Sequence, residues 1–280
     1  YVQEAAAGAH FTTTVVVASE WTASGLRMKT YFVPRRLGQS DTLPMAEWEE
    51  AISQLVPDCA SRAAMHDFLE SSPEGRMLKP YMVAVDNVSP DRSRLKLYFH
   101  TPHTSFASVR EIMTLGGRVA VPEAQLQELR TLISAVSGLA TDFPESQEVP
   151  CSEDYHPSAR ENFAEMSMLL AGYIYYFDIA PGRALPDIKF YTPVRRYGPD
   201  DAALAEGITG WMAAQNRGQY CQRYKSMLKS LTPHRQLEEG KGIQTYVSCL
   251  LKKSGGLEVT SYIGPEAFDP VRLSSRSVTG

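Results

Sequence analysis

A lysine followed two residues later by a tyrosine, inside a strand-like run, recurs along this 280-residue sequence. It stands at Arg27-Met28-Lys29-Thr30-Tyr31, Arg94-Leu95-Lys96-Leu97-Tyr98 and Asp187-Ile188-Lys189-Phe190-Tyr191, with a weaker copy at Glu258-Val259-Thr260-Ser261-Tyr262. A strand places residues i, i+2 and i+4 on one face, so each copy aims a cation and a phenol at the same side of its sheet. Several such strands side by side build a pocket with a positive end and an aromatic wall. Converging Lys and Arg suit a phosphate or diphosphate. Tyrosine faces stabilise a developing carbocation and keep water from it. The combination fits ionisation of an allylic diphosphate: Lys29, Arg94, Lys96 and Lys189 hold the leaving group while the allyl cation lies between tyrosines. The sequence has no aspartate-rich magnesium motif of the DDxxD kind, since Asp200-Asp201 opens a helix and lacks the second part. Lysine charge takes the place of the metal.

The elements that must position these residues follow one another in a simple rhythm. Strands are expected at His10–Ala18 and, after a polar loop Ser19–Gly25, at Leu26–Val33, where Pro34 stops the pairing. A helix behind Pro44 carries Trp48, Ala51, Ile52 and Leu55 as an apolar stripe, and a second runs from about Ser61 to Leu69. Strands at Tyr81–Val88 and Arg94–Phe99 flank the turn Ser89-Pro90-Asp91-Arg92. Helices follow over Thr104–Met113, ending at Gly116-Gly117, and behind Pro122 with Leu126, Leu129, Ile133 and Val136 inward. Asp142–His156 reads as a surface loop. Strands over Gly172–Phe177 and Ile188–Pro193, a turn through Pro181-Gly182, and helices over Asp200–Ala214 and Tyr220–Leu231 come next. A last hairpin pairs Ile243–Leu251 with Leu257–Ile263 through Lys252–Gly256, and the polar tail after Phe268 frays.

The pattern is hairpin then helices, four times over, with eight strands for most of a closed barrel. The expected class is α+β: an antiparallel barrel with strands lining a solvent-filled lumen and helices outside. An open antiparallel sheet with one wet face, its strand lysines merely solvated, is the alternative.

A hydrophobic content of 43% and a charged content of 21% are ordinary for a globular protein. The net charge of −4 gives no global pull toward nucleic acid. Cys59, Cys151, Cys221 and Cys249 lie far apart with no CxxC, as in a reduced cytoplasmic protein. No apolar run approaches the ~20 residues of a membrane span. The sequence opens on Tyr1 and enters a strand within about ten residues, so an upstream portion is expected to be absent, and a targeting signal there stays open.

Four segments carry a resemblance: LRMKTYFVPRR (Leu26–Arg36), KPYMVAVDNVSPDRSRLKLYF (Lys79–Phe99), REIMTLGGR (Arg110–Arg118) and PDIKFYTPVRRYGPDD (Pro186–Asp201). In order and spacing they resemble the fungal aromatic prenyltransferases of the dimethylallyltryptophan synthase type, over roughly Val15 to Phe268. The resemblance implies a single prenyltransferase-barrel domain over residues 1–280, with four of five αββα repeats present and an N-terminal one missing. It implies attack of an indole, in tryptophan or a tryptophan-containing cyclic dipeptide, or of a related aromatic ring, on a dimethylallyl cation. Dimethylallyl diphosphate is then the co-substrate, no metal or other cofactor is required, and the enzyme is a monomer or homodimer. In the family's pattern the diphosphate ligands fall on Lys29, Arg94, Lys96 and Lys189, and the cation shield on Tyr31, Tyr98, Tyr191 and Tyr262. The missing repeat would supply one further arginine and the glutamate that accepts the indole proton, so the catalytic base is expected upstream of Tyr1.

Other candidates are weaker. Tyr246 is a further residue for the aromatic wall. Glu258, in register with Arg27, Arg94 and Asp187, either binds the acceptor's N–H or pairs with a lysine. His100 and His103 have no third ligand nearby and read as loop residues. Lys252 and Lys253 read as solvated. Trp21, Trp48 and Trp211 read as packing residues, with Trp21 in a loop that could border an acceptor. Two functions stand: dimethylallyl transfer to an aromatic acceptor, or a non-catalytic barrel binding an anionic small molecule.

Overall fold

Alternation of β-branched and polar residues in pairs of segments, each followed by helix-forming stretches, gives the element order. A computed structural model describes residues 15–23, 25–34, 43–89, 93–151, 172–266 and 269–276. Its strands are β1 (Val15–Thr22), β2 (Gly25–Phe32), β3 (Lys79–Asp86), β4 (Leu95–Thr101), β5 (Tyr173–Ile179), β6 (Asp187–Thr192), β7 (Gln244–Leu251) and β8 (Leu257–Ile263). They form an eight-stranded sheet in which each strand lies beside its neighbour in the chain. The pairs β1–β2, β2–β3, β3–β4, β4–β5 and β7–β8 are antiparallel. The described residues fall into two compact units, one drawn from residues 15–103, 108–120 and 172–190, the other from 104–107, 121–151 and 191–276.

In the first unit, helices α1 (Met45–Leu55), α2 (Ala60–Ser71) and α3 (Pro73–Met77) separate β2 from β3, and α4 (Phe106–Met113) follows β4. The register sorts the strand residues into two faces. Leu95, Leu97 and Phe99 of β4 stand beside Ile179, Phe177 and Tyr175 of β5, all buried. Phe68 of α2 reaches this face, its ring 6.5 Å from Phe177, which meets Phe99 edge-on at 5.3 Å. Burying aromatic side chains of this size contributes on the order of 2 kcal/mol each. That face is the helix-covered core, and the other carries the polar side chains. Gly75 of α3 is held against α2, where a Cβ would come within 2.1 Å of the Phe68 carbonyl oxygen.

In the second unit, α5 (Glu123–Ser137) buries the expected Leu126, Leu129, Ile133 and Val136. After α6 (Val194–Tyr197), α7 (Asp201–Ala214) crosses α5 at Gly207, where a Cβ would sit 2.4 Å from the Ala135 carbonyl oxygen. Asp200 caps α7 by accepting the Ala203 N–H at 2.8 Å. Next come α8 (Cys221–Leu231), the β7–β8 hairpin and α9 (Pro270–Arg276). Gln125 of α5 clamps the hairpin turn, its Nε2 donating at 2.9 Å to the carbonyls of both Lys252 and Gly256.

Several expectations need correction. The stretch read as a polar loop is mostly strand: β1 continues through Ser19 to Thr22 because β2 pairs with it to the end, Trp21 opposite Leu26. Trp21 is therefore a strand residue and, at 83% exposure, not a packing one, whereas Trp48 and Trp211 are buried. Of the first helix's stripe, Trp48 and Ile52 are buried but Leu55 is exposed. The short helices α3 and α6 and the terminal α9 were unforeseen, the last in a tail expected to fray. Leu115 (φ 52°), Gly116 (φ 65°) and Gly117 (φ 82°) end α4's segment as the glycines led one to expect. The beginning of the first strand segment, the turn at Pro90–Arg92, residues 152–156 of the acidic loop and Phe268 lie outside the described residues.

Candidate functional site

The helix-free face of the first unit collects the charged and phenolic side chains. Across β1 to β5, one row of strand partners runs Val16, Tyr31, Ala84, Lys96, Asp178. A second runs Met82, Tyr98, Tyr176, and Lys29 stands opposite Asp86. Arg94 immediately precedes β4 rather than lying within it.

The cations sit among carboxylates that sequence reasoning did not single out. The Lys96 ammonium, its side chain 6% exposed, donates to Asp86 Oδ1 at 2.6 Å. Arg94 bridges two acids, donating from Nη2 to Asp86 Oδ2 at 3.0 Å and from Nη1 to Asp178 Oδ2 at 2.8 Å. Lys29 donates to Glu20 of β1 at 2.9 Å. The solvated-lysine alternative fails for Lys96 and Lys189, which retain 5% and 9% exposure.

The ionisation equilibria follow this packing. Burial pulls the Lys96 ammonium below the ordinary lysine range, against the hydrogen bond and charge of Asp86, with Arg94 adding to the fall. Burial would raise Asp86, but hydrogen bonds and charge from Lys96 and Arg94 outweigh it and hold the carboxyl low. Asp178 moves the other way: burial raises it beyond what Arg94, Lys96 and Arg183 recover. Lys29, although burial works against its charge, is raised by Glu20.

Beside the ionic group lies a tyrosine cluster centred on Tyr98. Its ring centroid is 6.1 Å from Tyr31, 6.2 Å from Tyr81 and 5.3 Å from Tyr176. Tyr81 belongs here because β3 shifts register between Pro80 and Met82, and the extra residue turns its ring toward Tyr98. Both added tyrosines had a signal. Lys79-Pro80-Tyr81 is another copy of the lysine-to-tyrosine spacing, and Tyr176 alternates with Asp178 along β5. A carboxylate at the last or next-to-last position of a strand, as Asp86 of β3 and Asp178 of β5 are, was the signal for the acids. His100 also departs from expectation. It is a buried residue of β4, on the same face as Lys96 and Tyr98, not a loop residue. His103 does follow the strand, its Nδ1 2.9 Å from Glu74.

The second unit holds its own aromatic group. Tyr262 of β8 is 5.8 Å from Tyr191 and 6.5 Å from Tyr246, its neighbour across the β7–β8 ladder. Glu258 stands opposite Leu250, half-exposed, with its carboxylate 3.7 Å from Lys252. Glu258 thus pairs with a lysine, and Lys252 has that partner rather than water alone. Among the described residues no group of three His, Cys, Asp or Glu side chains is placed to hold a metal, and no helix is long and apolar enough to cross a membrane.

The chain is similar in sequence and in fold to known proteins. The sequence profile of the family described as tryptophan dimethylallyltransferase matches residues 1–227. Prenyltransferase anuH of Penicillium roqueforti is 68% identical over 274 residues, covering 98% of this chain and 60% of that protein. Xanthone prenyltransferase B of Emericella nidulans is 41% identical over 283 residues, 100% of this chain and 61% of its own length. The chain thus spans about three-fifths of the length of these curated relatives. Among solved structures, 6-dimethylallyltryptophan synthase from Micromonospora olivasterospora, in complex with DMASPP and Trp, superimposes with a TM-score of 0.64 at 21% identity. The match covers 95% of this chain and 71% of that one. At that identity the likeness establishes the fold, the antiparallel α+β architecture that the hairpin-and-helix rhythm leads one to expect.

Proposed function

The chain belongs to the tryptophan dimethylallyltransferase family, and on that premise we propose that the intact protein transfers a dimethylallyl group from dimethylallyl diphosphate to an electron-rich aromatic ring. The observation that carries the proposal is the buried Lys96 beside Arg94, on the sheet face that also bears the tyrosine cluster around Tyr98. Lys29, Arg94, Lys96 and Lys189 bind the diphosphate and take up the charge that develops as the C–O bond breaks. Tyr31 and Tyr98 present π-faces to the allyl cation, worth about 0.5–2 kcal/mol each once water is excluded. Tyr191, Tyr246 and Tyr262 are assigned the same shielding role. The ring's π electrons then attack the cation to form the new C–C bond, and loss of the ring proton restores aromaticity; the base that takes it is not assigned. Lysine and arginine charge serve in place of a metal. The unbridged state of all four cysteines supports a reducing, cytoplasmic setting.

An indole is the first acceptor to test, because the structural relative with Trp bound shares the fold. A phenolic polycycle is a second, favoured by the 41% identity to a xanthone prenyltransferase. The experiment incubates the intact protein with dimethylallyl diphosphate, EDTA and a panel of indoles, tryptophan-containing cyclic dipeptides and hydroxyxanthones. Prenylated product is expected with at least one class. Absence of product across the panel, with pyrophosphate still bound, would instead favour the non-catalytic anion-binding protein. Lys96→Glu and Lys189→Glu should each abolish pyrophosphate binding, and unchanged affinity would overturn their assignment.

A further inference from the structure

Three of the four cations assigned to the diphosphate, Lys29, Arg94 and Lys96, are paired with carboxylates before any ligand arrives. Lys29 is matched by Glu20, Lys96 by Asp86, and Arg94 by Asp86 and Asp178. In this cluster three positive charges thus face three negative ones, and a diphosphate would add further negative charge beside the part-buried Asp86 and the buried Asp178. The two strand carboxylates are not equivalent. Asp86 keeps 15% side-chain exposure and accepts from both Lys96 and Arg94. Asp178 keeps 4%, accepts from Arg94 through Oδ2, and finds no hydrogen-bond partner among the described residues for its buried Oδ1.

Once Arg94 turns part of its charge to a diphosphate, an ionised Asp178 is left buried, under-paired and beside a second anion. Such a charge costs several kcal/mol. A proton removes the cost and converts Oδ1 from a repelling acceptor into a donor. We propose that anion binding at Arg94 and Lys96 is coupled to uptake of one proton by Asp178. The proposal rests on the diphosphate reading above and adds to it a residue that sets the pH dependence of binding. The charged groups acting on Asp178 are Arg94 and Lys96 at β4, and Arg183 and Asp187 at and before β6, with Asp86 of β3 reached through the shared Arg94 and Tyr176 on β5 itself. Arg183 is itself tied to Asp187 at 2.5 Å, and the charge of Asp187 acts on Asp178 in the opposite sense to that of Arg183. The direction in which burial already drives Asp178 agrees.

The test is calorimetric titration of inorganic pyrophosphate into the intact protein, in buffers of different ionisation enthalpy, from mildly acidic to mildly alkaline pH. The ligand's own ionisation is measured by titrating pyrophosphate without protein over the same pH range and is subtracted. The wild-type protein should take up about one proton per pyrophosphate, so that Kd rises about tenfold per pH unit above the free-state titration of Asp178. Asp178→Asn should lose that proton and that slope, and bind more tightly than wild type at alkaline pH. Binding by the wild-type protein without proton uptake overturns the coupling while leaving the diphosphate site intact. That readout needs no variant, so a poorly folding Asp178→Asn does not blunt it. Uptake that persists in Asp178→Asn overturns the assignment to this residue. No pyrophosphate binding at all overturns the diphosphate reading, and the coupling with it.

Discussion

Replacing Asp86 by asparagine tests whether the buried lysine is held by the ion pair described. The Lys96 ammonium is 2.6 Å from Asp86, with 6% and 15% of the two side chains exposed. At an effective dielectric of about 20, the attraction at that distance is roughly 6 kcal/mol before desolvation is subtracted. Breaking a buried pair by removing one partner typically costs about 3–5 kcal/mol. Arg94 adds less, since it is 38% exposed and retains Asp178. The loss also has a ceiling. A stranded lysine can release its proton at pH 7 for about 4.6 kcal/mol, the gap between neutrality and an ordinary lysine pKa. We therefore expect Asp86→Asn to cost about 3 kcal/mol. Lys96→Met should cost less, about 1–2 kcal/mol, because Asp86 keeps Arg94 and the apolar chain fills the site. The double variant should be less destabilised than the sum of the two, by about 1.5 kcal/mol or more. Urea denaturation of the four proteins in one buffer measures all of these terms. Additive effects, with Asp86→Asn within about 0.5 kcal/mol of wild type, would refute the buried pair and with it the charge-balanced description of the site.

The remaining expectations concern pH, packing and catalysis. Because Asp86 has a folded-state pKa below its unfolded value, its stabilisation is complete above about pH 4 and is lost as pH falls through the folded value. Acid denaturation of Asp86→Asn should lack that component; an unchanged acid limb would contradict it. Asp178 has the opposite sign: the fold favours its protonated form, so stability declines as pH rises from about 4 through its folded value. The pH–stability curve of Asp178→Asn should fall less over that window. Gly207→Ala drives a methyl into the Ala135 carbonyl where α5 and α7 cross, and should cost about 1–3 kcal/mol by thermal denaturation. Tyr98→Leu should lower kcat roughly 10- to 30-fold by removing the ring at the centre of the cluster, while Tyr98→Phe retains most activity. Equal losses in both variants would show that the hydroxyl, not the ring, is what matters.

Most of the strands, the main helices and most of the side chains that share a face were legible in the sequence. These depend on local periodicity: a period of two sends Lys96 with Tyr98 and Leu97 with Phe99, whatever lies beyond the strand. It also supplied the family, through motifs in order. What it did not contain was the counter-charge. Asp86 and Asp178 are 92 residues apart in the chain, and only strand pairing sets one on each side of β4, where Arg94 bridges them. The register shift beside Pro80 likewise moved Tyr81 to a face that strict alternation denies it. His100 and Trp21 were misplaced for the same reason, since a strand's end is decided by how far its partner continues. Whether a lysine is solvated or buried against a carboxylate depends on neighbours distant in the chain, and that was left to the tertiary structure.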